Sequence, residues 1–161
     1  MRIADYIQDS IVDGPGLRFT LFCQGCPHRC KGCQNPGTHD PAGGREAAVS
    51  DVVAAMLSNP LTDGLTLSGG EPFSQVSDCA AIAREAKRAG LNVWCYTGFL
   101  FEDLIRDPRC RELLENVDVL VDGPFVLEER SLTLKWRGSA NQRVLDVKKS
   151  LESAAPVMYD E

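Results

Sequence analysis

Short apolar runs that end in glycine, proline or polar residues, each followed by a helix-patterned segment, recur along this 161-residue chain. A first strand is expected at 17–22, "LRFTLF", entered through the turn Asp13-Gly14-Pro15-Gly16. Ser50 then reads as the N-cap of a helix carrying Val52, Val53, Met56 and Leu57 on one face, which stops before Pro60. The strand 65–67, "LTL", runs into "SGGEP". A helix from Ser77 to Ala89 follows, with Ile82, Ala83 and Ala86 inward, Lys87 and Arg88 in its last turn and Gly90 as its stop. The strand 92–96 ends in Thr97-Gly98, and the helical stretch after it, 101–114, is interrupted at Pro108. Strands at 117–121, ending in Asp122-Gly123-Pro124, and at 143–147 complete the alternation.

Strand and helix in near-regular alternation imply an α/β fold whose mostly parallel sheet is linked by right-handed crossovers. Ligands of such sheets bind beyond the carboxyl ends of the strands. The segment after the first strand, "GGEP", "YTG" and "DGP" all follow strands, so they are expected at one face. A closed eightfold barrel takes about 200 residues or more, so a partial, open β/α barrel in one domain over residues 1–161 is expected.

The segment after the first strand is "CQGCPHRCKGC", with four of the chain's seven cysteines at 23, 26, 30 and 33. Compartment decides how thiols are read. The N-terminus "MRIADYIQDS" carries acids and lacks the apolar region of a secretory signal, and no apolar run approaches the ~20 residues of a membrane span. A cytoplasmic location with no membrane association is expected, where thiols stay reduced unless they bind metal or do redox chemistry. A net charge of −6 gives no broad attraction to phosphate backbones, so nucleic acid is not an expected partner.

Two C-x2-C pairs separated by only three residues suit structural zinc poorly, because zinc ribbons separate their pairs by a dozen or more so that two knuckles converge. The C-x2-C-x2-C run of bacterial ferredoxins does not match either. If Cys23 is the last residue of the first strand, what remains is Cys26-x3-Cys30-x2-Cys33, three thiolates on one loop. A [4Fe-4S] cubane held by three ligands keeps one iron open to a substrate. Cys23, Cys79, Cys95 and Cys110 are expected in the core or packed just behind the ligand cysteines.

C-x3-C-x2-C after the first strand and Gly69-Gly70-Glu71-Pro72 after the next resemble the two hallmarks of radical S-adenosylmethionine enzymes. Gly32 stands where that superfamily often has an aromatic residue. "DGPGLRFTLFCQGCPHRCKGCQNPGT", "LSGGEP", "YTG", "VDGPF" and "RGSANQR" together resemble a narrower family of small glycyl-radical activases, those that act on the anaerobic ribonucleotide reductase. His39 departs from the tryptophan expected there. The resemblance implies that Cys26, Cys30 and Cys33 hold a [4Fe-4S] cluster whose open iron chelates S-adenosylmethionine. Reductive cleavage of that cofactor then yields a radical that takes hydrogen from a glycine of the reductase's large subunit. The electron donor so implied is a flavodoxin or a thiol reductant system.

The glycines of "GGEP" permit close backbone approach, and Glu71 offers an acceptor for an ammonium group; the resemblance makes that ammonium the methionyl amine. The similar "LSGGQ" of transporter ATPases comes with a phosphate loop that this chain lacks. Gly69, Gly70, Glu71, Thr97 and Asp122 are therefore the expected cofactor contacts. His28 and His39 are expected as solvated loop residues, and the Asn141-Gln142-Arg143 segment carries no derivable role. Two other readings stay open: an activase for a different glycyl-radical enzyme, and an iron-sulfur electron-transfer module.

Overall fold

A computed structural model describes residues 1–160. Its strands are β1 (Arg2–Ser10), β2 (Arg18–Cys23), β3 (Arg45–Glu46), β4 (Gly64–Ser68), β5 (Asn92–Tyr96), β6 (Val119–Asp122) and β7 (Arg143–Asp146). They form one open sheet in the order β3-β1-β2-β4-β5-β6-β7. The central strands β2, β4, β5 and β6 are parallel, while β1, β3 and β7 are antiparallel to their neighbours. The open, parallel-centred α/β architecture expected from the sequence is the one observed.

The crossovers between parallel strands carry the helices α1 (Val49–Leu57), α2 (Val76–Arg88), α3 (Phe101–Leu104) and α4 (Pro108–Leu114), and α5 (Val147–Ser153) follows β7. Side chains alternate across each strand, so Phe19, Leu21, Leu65, Leu67, Val93 and Leu120 bury against Val52, Met56, Ile82, Ala83 and Ala86 of α1 and α2. Each large member stabilises the fold by about 1.5–3 kcal/mol. The opposite face carries Trp94, Val119 and Val121, packed with Trp136, Val144 and Tyr159.

That second face also holds Arg18, fully buried. Its guanidinium donates to Thr66 Oγ1 at 2.7 Å, to the Pro15 carbonyl at 2.7 Å and to the Leu65 carbonyl at 2.8 Å, beside the Trp94 ring at 5.8 Å. Burial pushes its pKa down to about 10, so it remains a cation at neutral pH. A Cβ on Gly64 would stand 2.4 Å from this guanidinium, which explains glycine at the start of β4.

Several boundaries differ from the sequence reading. β1 was not foreseen: only Ile3 and Ser10 of it are buried and its pairing with β2 carries register irregularities, so it shows no clean alternation. Helix α1 begins at Val49 with Ala48, not Ser50, as its N-cap. The stretch 101–114 is two helices, because Pro108 opens α4 and Asp107 caps it by accepting from the Arg109 N–H at 2.9 Å. β6 begins at Val119, since the Val117 N–H bonds the Leu114 carbonyl at 3.0 Å in the turn before it. β7 ends at Asp146, which caps α5. Cys23, Cys79 and Cys95 are buried as expected, whereas Cys110 is only half-buried. Among the described residues, no helix is long and apolar enough to cross a membrane.

Candidate functional site

The carboxyl ends of β2, β4, β5 and β6 surround one cavity of about 500 Å³, lined among others by Cys26, Cys30, Cys33, Gly69, Gly70 and Thr97. The convergence expected of the four strand-end segments is thus present in space.

The cysteine loop leaves β2 under tight backbone control. The Gly25 N–H donates to the Thr38 carbonyl at 2.7 Å, the Cys26 N–H to the His39 carbonyl at 3.1 Å, and the Gly25 carbonyl accepts from the Glu71 N–H at 2.8 Å. All three cysteines are free and half-buried. Burial pushes the Cys26 thiol up, and the backbone N–H groups of His28 and Arg29 act against that by donating toward its sulfur. Arg29 holds a left-handed conformation, φ 48°, and the Asn35 N–H donates to Cys33 Sγ at 3.4 Å.

Among the described residues, no three His, Cys, Asp or Glu side chains already stand together at metal-holding distance. The donor set nonetheless suits a thiolate-held cluster: three free thiols on one loop border one cavity, with backbone N–H groups directed at two of the sulfurs. His39 also borders the cavity, and its Nε2 is buried without a partner among the described residues, leaving a polar group for a ligand to meet.

After β4 the chain turns through Gly69 (φ 46°) and Gly70 (φ 61°). A Cβ on Gly70 would stand 2.4 Å from the Cys23 carbonyl oxygen, so only glycine brings this backbone against the start of the cysteine loop. The Gly70 N–H donates to Thr38 Oγ1 at 2.8 Å.

Glu71 is fully buried and does not border the cavity. Its Oε1 accepts from the Thr97 hydroxyl at 2.6 Å, the Gly98 N–H at 2.9 Å and His28 Nε2 at 2.7 Å; its Oε2 accepts from the Phe73 N–H at 3.1 Å. The carboxylate expected to face a ligand's ammonium is instead engaged by four protein donors. His28 is correspondingly no solvated loop residue: its side chain is only 16% exposed and its ring meets Phe99 edge-on at 4.5 Å.

Asp122 is likewise buried and away from the cavity lining. Val119 and Val121 pack in one cluster with Tyr96 and Trp136, which border the cavity, so the period of two turns Asp122 to the other side of the sheet. There it accepts from the Phe101 N–H at 2.8 Å and from Arg143 Nε at 2.9 Å and Nη2 at 2.5 Å. Arg143 thereby acquires a role, as do its neighbours. Gln142 borders the cavity, donates to the Gly123 carbonyl at 3.1 Å and accepts from the Gly138 N–H at 2.9 Å, and Asn141 donates to the Pro124 carbonyl at 2.7 Å. These bonds fasten the long connection after β6 to the strand-end turn it leaves. Its Trp136 meets Trp94 edge-on at 5.6 Å. At the cavity's mouth, Ile7 (43% exposed), Val12 (73%) and Leu132 (84%) present apolar surface to solvent.

Residues 12–145 match the family described as a 4Fe-4S single cluster domain. Three relatives bear the name anaerobic ribonucleoside-triphosphate reductase-activating protein. One, from Haemophilus influenzae, is 36% identical over 152 residues, covering 88% of this chain and 96% of the relative. Another, from Vibrio cholerae, is 36% identical, covering 88% and 96%. The third, from Escherichia coli, is 34% identical, covering 89% and 97%.

Proposed function

Since the chain belongs to the anaerobic ribonucleoside-triphosphate reductase-activating proteins and carries their 4Fe-4S domain, we propose that it activates that reductase with a cluster held by Cys26, Cys30 and Cys33 and with S-adenosylmethionine bound beside it. The reading covers residues 1–161 as one radical S-adenosylmethionine domain. It places the chain in the cytoplasm, with the reductase's large subunit as protein substrate and a flavodoxin or a thiol reductant system as electron donor. When bound, the cluster supplies the electron that cleaves the cofactor's sulfonium bond, the chemistry from which a glycyl radical on the reductase follows.

The chain's own residues bind and orient. The observation that carries the reading is that three free thiols of one loop and the Gly69-Gly70 turn border the same cavity. The two glycines let backbone approach a ligand closely, and Thr97 borders the cavity beside them. Glu71 and Asp122 serve the cofactor from behind the wall: Glu71 fixes Thr97 and Gly98, and Asp122 fixes the start of α3 and Arg143. The sheet leaves the cavity open between β1 and the connection after β6, where Ile7, Val12 and Leu132 offer apolar surface to an incoming loop of the reductase.

The test is anaerobic reconstitution followed by iron, sulfide and cofactor-cleavage assays. About one [4Fe-4S] cluster per chain is expected, because three thiolates suffice to hold a cubane that keeps one iron open to the cofactor. Cys26→Ala, Cys30→Ala and Cys33→Ala should each abolish cleavage, while Cys23→Ala keeps most of it. A colourless, zinc-loaded protein, or equal loss on Cys23→Ala, would reject the ligand set.

A further inference from the structure

We propose that His28 is a positioning residue, and that its bond to Glu71 fixes the distance between the cysteine loop and the backbone wall against which S-adenosylmethionine lies. The proposal rests on the reading of the cavity as the cluster and S-adenosylmethionine site.

Four observations carry it. His28 sits between Cys26 and Cys30, and its Nε2 stands 2.7 Å from Glu71 Oε1. With a carboxylate as partner, that nitrogen donates. The same Oε1 accepts from Thr97 and from the Gly98 N–H, so one oxygen ties the cysteine loop to the turn after β5. Glu71 itself follows Gly70 and donates its N–H to the Gly25 carbonyl at 2.8 Å, which joins the turn after β4 to the same knot. Finally, a Cβ on Gly98 would stand 2.4 Å from the His28 ring, so glycine at 98 is the space the imidazole needs. Gly98 has no left-handed φ that would otherwise demand glycine.

A ligand that must touch both the open iron and the backbone beyond β4 and β5 feels any slip between these loops. Glu71 is fully buried and the His28 side chain is 16% exposed, a setting in which a charge-assisted hydrogen bond is strong. Removing the donor takes away the side-chain tie between the middle of the cysteine loop and the turns after β4 and β5, leaving the backbone tie through Gly25 and every thiol in place.

The experiment uses the anaerobically reconstituted full chain, with S-adenosylmethionine as probe. Three readouts are followed: iron content, affinity by calorimetry, and the change in the reduced cluster's electron paramagnetic resonance spectrum on adding the probe. His28→Phe fills the space beside Phe99 without a donor. It should keep iron near the wild-type level, weaken binding about 10- to 100-fold, and blunt the spectral change. His28→Gln, which restores a donor, should recover most of both.

Gly98→Ala should reproduce the His28→Phe defect in the wild-type background and add little in a His28→Ala background, where its methyl enters vacated space. Thermal melts identify any variant that fails to fold, and the Gly98→Ala pair then decides. Wild-type affinity and spectrum in His28→Phe, or equal and additive losses for Gly98→Ala in both backgrounds, would overturn the proposal. Failure of the wild-type chain itself to take up iron or the probe would instead overturn the reading of the cavity.

Discussion

Arg143 donates through Nε and Nη2 to the two carboxylate oxygens of Asp122, and through Nη2 also to Glu102 at 2.6 Å, so one guanidinium joins β7, the end of β6 and the first turn of α3. Asp122 is fully buried while Arg143 is 29% exposed. Deleting the cation strands a buried anion, and Arg143→Ala should lower stability by about 3 kcal/mol or more. Urea denaturation of the two proteins checks this. A loss under about 1 kcal/mol would mean that the pair behaves as a surface ion pair.

The same guanidinium sets a pH dependence. Its hydrogen bond holds the Glu102 carboxyl below the usual carboxylate range. A depressed folded-state pKa contributes stability that is present above the unfolded-state value and is lost as pH falls through the folded one. The stability difference between wild type and Glu102→Gln should therefore be greatest near pH 7 and shrink as pH falls through about 4 and below. Denaturation midpoints measured across that range test it, and a difference that grows on acidification would contradict the assignment.

The glycine turn after β4 gives a third expectation. Gly70→Ala would force a side chain into a backbone at φ 61° and against the Cys23 carbonyl oxygen. The left-handed conformation alone costs roughly 1–2 kcal/mol, and relief requires the turn to move away from the cysteine loop. Affinity for S-adenosylmethionine should fall by about tenfold or more, with iron content kept. Calorimetry on the reconstituted variant decides; unchanged affinity would detach this turn from ligand binding.

The repeating parallel core was legible because its strands bury runs such as Phe19 and Leu21 or Leu65 and Leu67, and each ends in a marked turn. β1 escaped because a half-exposed, irregularly paired strand keeps neither alternation nor an apolar run. That the cysteine loop and the glycine turn share one cavity was legible because each follows a parallel strand. Glu71, Asp122 and His28 were read less well, since motif position says where a residue stands along the chain and not where its side chain points. Asp122 could have been placed by the period of two, because Val121 packs in the cluster that includes cavity-bordering Tyr96 and Trp136 and the next residue must face away. His28 carried no such signal: its partner lies 43 residues away.

Activation of the anaerobic ribonucleotide reductase by this chain should leave a glycyl radical on the reductase's large subunit. The most direct measurement is electron paramagnetic resonance of the reduced, reconstituted chain with S-adenosylmethionine, with and without the reductase's large subunit. A doublet should appear only with the reductase, and α-deuterated glycine in that subunit should collapse the splitting and send deuterium into 5′-deoxyadenosine. Cofactor cleavage without a doublet or deuterium transfer in the reductase's presence would contradict it.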